Sequence, residues 1–192
     1  MRITGGTGRG RTLRVPAGEQ VRPTSDKVKQ ALFNILGDRV PGSVFLDLFA
    51  GAGGIGIEAL SRGAARAVFV DGFRESLDVV KQNIDLAGFA DNAEAVLSKV
   101  EPFLKKRTGP YDIVFLDPPY KMELLPLLQL IAASTLLKPD AVVIAEHFKK
   151  QPSPERAGGL ERYRESVYGD TVLAFYKDSS QGSAARSQEE LS

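Results

Sequence analysis

From Val44 onward the chain alternates short apolar runs with amphipathic stretches, and no other feature constrains its fold as much. Five- to six-residue apolar runs separated by helix-length segments cannot pair as hairpins. They predict strand-helix-strand units around a buried parallel sheet. Strands are expected at 44–48, 67–71, 93–97, 112–116 and 141–146, with helices at 55–62, 75–87, 100–107 and 123–133 between them. After residue 150 the pattern changes, and 162–167 with 171–177 around Gly169-Asp170 reads as an antiparallel hairpin. An α/β doubly wound sheet, mostly parallel and closed by an antiparallel edge, accommodates all of this.

The first 40 residues read differently. Segments 2–4 and 11–15 look like two short strands joined by the basic glycine turn Gly5-Gly6-Thr7-Gly8-Arg9-Gly10. A helix capped by Thr24 or Ser25 should carry Val28, Ala31, Leu32, Ile35 and Leu36 inward and stop at Gly37. Phe33 and Asn34 are expected to pack it against the main domain. The organisation is therefore an arm over 1–40, a main domain over 41–177 and, over 178–192, a tail with almost nothing apolar, expected to be disordered.

Charge is useful through its distribution. The chain carries a net +1, yet eight basic residues stand against three acidic ones in residues 1–39, a net +5 that leaves −4 for the rest. Arg9, Arg11, Arg22 and Lys27 are thus candidates for nucleic-acid phosphates. The absence of cysteine excludes disulfides, thiolate metal sites and base methylation through a cysteine adduct. No apolar run approaches the roughly 18 residues of a membrane span, so a cytoplasmic protein without a membrane partner is expected.

Two loops carry chemistry. Val44-Phe45-Leu46-Asp47-Leu48-Phe49-Ala50-Gly51-Ala52-Gly53 puts glycines where a buried strand turns into a helix, which lets backbone approach a ligand. Asp47 before those glycines would oppose a diphosphate and suits a cationic or hydroxylated ligand. Asp71, 20 residues after Gly51 at the next strand end, is placed to accept from ribose hydroxyls. A ribose and an amino-acid end without phosphate describe S-adenosylmethionine, with Asp47, Phe49, Gly51, Gly53 and Asp71 as its candidate contacts.

The second loop, Asp117-Pro118-Pro119-Tyr120, follows the fourth strand. Two prolines force the chain out of the sheet at the carboxyl end, where open sheets bind ligands. An exocyclic amine conjugated to a base ring is a poor nucleophile because its lone pair is delocalised. Acceptors at its hydrogens, here the Asp117 carboxylate and the Pro118 carbonyl, restore that lone pair and stabilise the charge that develops. Proline keeps the loop stiff for approach at about 3 to 3.5 Å, and Tyr120 offers a face to an extruded base. No metal is needed, since a sulfonium already makes its methyl electrophilic.

These segments resemble the RsmD family of small-subunit ribosomal RNA guanine-N2 methyltransferases. Arg2-Ile3-Thr4-Gly5-Gly6, Arg9-Gly10-Arg11, Arg22-Pro23-Thr24 and Ala31-Leu32-Phe33-Asn34-Ile35-Leu36 carry the family-specific part. The glycine loop, Glu58-Ala59-Leu60-Ser61-Arg62-Gly63-Ala64 and Asp117-Pro118-Pro119-Tyr120 complete it. The resemblance implies a class I S-adenosylmethionine-dependent methyltransferase fold, Rossmann-like with a seven-stranded sheet. It also implies action on guanine N2 of small-subunit ribosomal RNA within a subunit or assembly intermediate. Two departures stand out: Asp71 where the family usually has Glu, and Ser98-Lys99-Val100 where an acidic residue is common near the adenine. The rivals are a DNA adenine-N6 methyltransferase, which generally carries a target-recognition region absent here, and a non-catalytic RNA-binding assembly factor. A protein glutamine methyltransferase would usually have Asn at position 117. His147, the single histidine, is expected just after the fifth strand with no catalytic partner, and Lys149-Lys150 and Lys105-Lys106-Arg107 read as surface charge.

Overall fold

The computed structural model describes residues 1–16, 24–106 and 109–179. Arg22, Arg107 and the expected tail beyond residue 179 lie outside the described residues. Five strands are parallel: β1 (Val44–Leu48), β2 (Arg66–Asp71), β3 (Ala93–Leu97), β4 (Tyr111–Leu116) and β5 (Leu137–Phe148). They are followed by β6 (Arg156–Ala157), β7 (Leu160–Tyr168) and β8 (Thr171–Asp178), giving the order β3-β2-β1-β4-β5-β8-β7-β6. The seven expected strands are all present, and the two-residue β6 adds an eighth at the edge beside β7. Neither so short a strand nor its turn leaves a periodic signal. β5 also runs further than expected in both directions, because its start pairs with β4 at Tyr111↔Leu137 and its far end pairs with β8 up to Phe148↔Thr171.

Alternation along the strands sorts side chains onto two faces. Phe45, Phe69, Ile113, Phe115, Ile144 and Phe175 face one core, together with Leu32, Ile57 and Val80 from α1 (Asp26–Leu36), α2 (Gly54–Ser61) and α3 (Arg74–Ala87). Leu46, Val68, Val114, Leu116 and Val143 face the other, with α4 (Val100–Lys106) and α5 (Leu124–Ala132). The reversal of strand order between β1 and β4 opens a crevice at the carboxyl ends of the strands. Among the described residues no helix is long and apolar enough to cross a membrane.

The two expected N-terminal strands reduce to one antiparallel bridge, Arg2↔Thr12, flanked by Ile3 N donating to Arg11 O at 3.0 Å and Leu13 N to Met1 O at 2.8 Å. The six-residue glycine turn consumes the length a ladder would need. Ser25 caps α1, its hydroxyl accepting from Val28 N at 3.3 Å. Phe33 stacks on Phe45 of β1 with ring centroids 6.4 Å apart, whereas Asn34 points to solvent and does not join the packing. Ile3, Leu13, Val28 and Leu32 are buried in the same core as the sheet.

Candidate active site

The glycine loop leaves β1 through a strained turn. Phe49 has φ 61°, a left-handed conformation that a bulky side chain rarely adopts, and Gly53 follows at φ 79° as the residue before α2. A side chain at Gly56 would sit 2.3 Å from the Phe69 ring, so only glycine lets the start of α2 close onto β2. Asp47, 2% exposed, accepts a hydrogen bond from Gly56 N at 2.9 Å. Burial, and then the charges of Asp117 and Asp71, push its carboxyl up to about 8 despite that bond. Asp71 accepts from Gly51 N and from Phe73 N, both at 2.9 Å, and so ties the glycine loop to the turn after β2. The shorter side chain matters here, because it holds the carboxylate against backbone at the strand end. Phe73 and Leu97, beyond and opposite Asp71 in the β2–β3 ladder, are large apolar side chains left exposed. Ser98 and Lys99 use the Ser98 hydroxyl and the Lys99 carbonyl on each other.

The second loop leaves β4 one position past the last pair of the β4–β5 ladder, Leu116↔Ala145. Asp117 and Glu146 are therefore neighbours at adjoining strand ends, on the face that carries Asp47. No described residue donates a hydrogen bond to the Asp117 carboxylate. Solvent reaches this carboxylate through the cavity, yet protein crowds it from most sides, and that desolvation pushes its carboxyl up to about 7. Glu146 is 8% exposed and is raised to about 8 by burial and by the charge of Asp117, opposed by the Thr24 hydroxyl that donates to it at 2.9 Å. Pro119 O accepts from Met122 N at 2.8 Å, and Met122 O from the Gln151 amide at 2.6 Å, so the loop is held in shape. Tyr120, 67% exposed, packs edge-on to Phe148 at 5.7 Å and 72° and leaves a face open.

Between the two loops lies one cavity, and the arm forms its remaining wall. Met1, Val15, Pro16, Thr24 and Lys29 line it opposite Asp47, Phe49, Gly51 and Asp117. The arm is fixed by buried polar bonds. Lys29, 1% exposed, donates to Arg2 O at 2.5 Å and faces Glu58 at 3.5 Å. Glu58 itself accepts from Thr4 N, Thr4 Oγ1 and Arg62 Nε, each at 2.8 Å. Asn83 accepts from Arg14 N at 2.7 Å while its amide donates to Arg14 O and Ala52 O, joining arm, α3 and glycine loop.

Comparison with known proteins agrees with this architecture. The family model described as Conserved hypothetical protein 95 matches residues 1–177. The chain is 41% identical over 182 residues to YlbH of Bacillus subtilis, covering 92% of this chain and 98% of that protein. It is 36% identical over 184 residues to Ribosomal RNA small subunit methyltransferase D of Escherichia coli K12, covering 95% and 92%. The chain belongs to the RsmD family. Among solved structures, yhhF from Escherichia coli superposes with a TM-score of 0.83 at 35% identity, over 93% of this chain and 97% of that one. A hypothetical protein of Thermus thermophilus gives 0.80 at 34% identity, over 91% and 98%. The fold is that of class I methyltransferases, and this RsmD-family chain is an S-adenosylmethionine-dependent methyltransferase.

Within this RsmD-family frame, Asp47, Phe49, Gly51 and Asp117 line one cavity, while Asp71 sits behind the glycine loop, holding Gly51. The basic candidates separate. Arg9 and Lys27 are exposed and make no side-chain contact among the described residues. Arg11 instead donates to the Ala87 carbonyl at the end of α3, where a cation suits the helix dipole. His147 lies within β5 on the face opposite Glu146, with its Nδ1 3.1 Å from Phe148 O and its Nε2 buried without a partner. Sequence reasoning passed over Lys29, Asn83 and Glu146. The signal for Glu146 was its place at the end of the fifth strand, which parallel register sets beside the residue after the fourth.

Proposed function

We propose that this chain methylates the exocyclic N2 of a guanine in small-subunit ribosomal RNA, presented within a subunit or assembly intermediate. The observation carrying this reading is a carboxylate without hydrogen bonds, Asp117, at the mouth of a cavity whose opposite wall is a glycine loop. The residues present fit the cofactor. Asp47 and the backbone of Gly51 and Gly53 suit its amino-acid end, Asp71 and the turn after β2 its ribose, and exposed Phe73 and Leu97 its adenine. The one lysine that lines the cavity among the described residues, Lys29, is already engaged by Arg2 O and Glu58 and is not available to a diphosphate.

Bound S-adenosylmethionine supplies an electrophilic methyl group. Asp117 and the Pro118 carbonyl accept the two amino hydrogens of the base, which draws the nitrogen lone pair out of conjugation and aims it at the cavity. As nitrogen gains the methyl it loses one proton, which passes by way of the Asp117 carboxylate to solvent at the cavity mouth. Tyr120 stacks on the extruded base, a contact worth about 1 to 3 kcal/mol per base in single-strand binders. The arm contributes phosphate contacts through Arg9 and Lys27, with Arg22 a further candidate. The family name of the Escherichia coli relative supports small-subunit ribosomal RNA as the substrate. Labelled methyl transfer to small subunits, followed by nucleoside analysis, should yield N2-methylguanine; N6-methyladenine in DNA, or no transfer at all, would refute the assignment.

A further inference from the structure

Glu146 has no part in the acceptor chemistry described above, yet its position is constrained on every side. It lies in β5 one residue past the last pair with β4, beside Asp117, faces the same side of the sheet, is 8% exposed, and has one oxygen held by Thr24 Oγ1 at 2.9 Å. Thr24 itself lines the cavity with Asp117. No described residue donates to the other Glu146 oxygen. Burying a carboxylate beside a second one is costly, so the Glu146 oxygen without a described donor calls for a donor that arrives from elsewhere.

The Watson–Crick edge of guanine offers such donors in adjacent positions: the N2 amino group and the N1–H. Adenine offers an amino group beside N1, which is an acceptor, and an acceptor opposite a carboxylate is repelled. We infer that Glu146, oriented by Thr24, is the specificity-determining residue that accepts guanine N1–H while Asp117 accepts from N2. This rests on the guanine-N2 reading and adds to it the reason why adenine is refused. Before a base arrives, burial and then the like charge of Asp117 hold a proton on the pair, and guanine binding releases that proton to solvent. The N1–H of the base then supplies the hydrogen between donor and acceptor that the pair otherwise takes from water.

The test uses 2-aminopurine, which keeps the 2-amino group and lacks N1–H. Full-length enzyme is given small-subunit particles carrying either guanine or 2-aminopurine at the mapped target position, and kcat/KM is measured for each. Wild type is expected to favour guanine by about 100-fold or more, since a site built around a donor rejects analogues lacking it. Glu146→Gln, whose amide can face either base, is expected to reduce that preference by about tenfold or more, with S-adenosylmethionine affinity and melting temperature close to wild type. Should this variant not fold, Thr24→Val, which removes the orienting hydroxyl, is read in the same way. Equal rates on both bases in wild type, or an unchanged preference in a folded variant, would overturn the inference while leaving N2-methylguanine formation standing. A wild type that makes no N2-methylguanine would overturn both.

Discussion

The two loops that face each other across the cavity treat their carboxylates in opposite ways. On the glycine side both are occupied: Asp47 holds Gly56 N, and Asp71 holds Gly51 N and Phe73 N. On the Asp117-Pro118-Pro119-Tyr120 side the loop is braced through backbone at Pro119 and Met122, while the Asp117 carboxylate is left unbonded. A ligand that binds in every turnover is met by a surface already fixed by internal bonds, so little ordering is required when it arrives. A base whose nitrogen must be activated is met by an acceptor whose lone pairs are still available. Under the proposed function, the same carboxylate chemistry is structural on one side and reactive on the other.

The largest effect separating the two sides should come from Asp117→Ala. Turnover is expected to fall by about 10²- to 10³-fold or more, in line with removal of a charge-stabilising group, while S-adenosylmethionine affinity by calorimetry changes little. A parallel loss of cofactor binding would erase the contrast.

Asp47 should behave in the opposite sense. Asp47→Ala leaves the Gly56 amide without its acceptor and is expected to cost about 1 to 3 kcal/mol of stability, together with cofactor affinity. Its pH dependence follows from a carboxyl raised from 3.8 to about 8. A raised folded-state value means that the folded form binds the proton more tightly than the unfolded one. Stability from this group is fully present below about pH 4 and is lost as pH rises toward about 8. Asp47→Asn, which keeps an acceptor for Gly56 and has no proton to lose, should flatten that part of the thermal-denaturation profile between about pH 5 and 9.

The smallest effect extends the same contrast to the arm, where Arg11 is engaged and Arg9 is not. Arg9→Ala should reduce the slope of log affinity against log salt by about one, as expected for one lost phosphate contact. Arg11→Ala should leave the slope nearly unchanged and lower the melting temperature slightly. A slope for Arg9→Ala equal to that of the wild type would show that Arg9 makes no phosphate contact.

Much of the sheet was legible because apolar periodicity reports directly on burial: all five parallel strands and the closing hairpin appear where the pattern puts them. The glycine loop and the acceptor loop were legible for a different reason, since glycine and proline restrict backbone in ways that do not depend on distant residues. What the sequence did not disclose depends on partners far apart in the chain. Asn83 reads as one polar residue on an amphipathic helix until Arg14 and Ala52 are brought to it. Lys29 reads as surface charge, though Glu58 and the Arg2 carbonyl make it the most deeply buried cation among the described residues. Asn34 carried the reverse error, since membership in an apolar stretch does not turn a side chain inward. The length of β5 is set by β4 at its start and β8 at its end, which the local pattern of 141–146 does not contain.

The arm and the sheet enclose one cavity, with Thr24 and Lys29 on one side and Asp47 and Asp117 on the other. Under the proposed function, nucleic acid that grips the arm also stabilises the wall beside the methyl donor. Linkage then requires reciprocity: whatever factor the RNA adds to the donor's affinity, the donor adds to the RNA's.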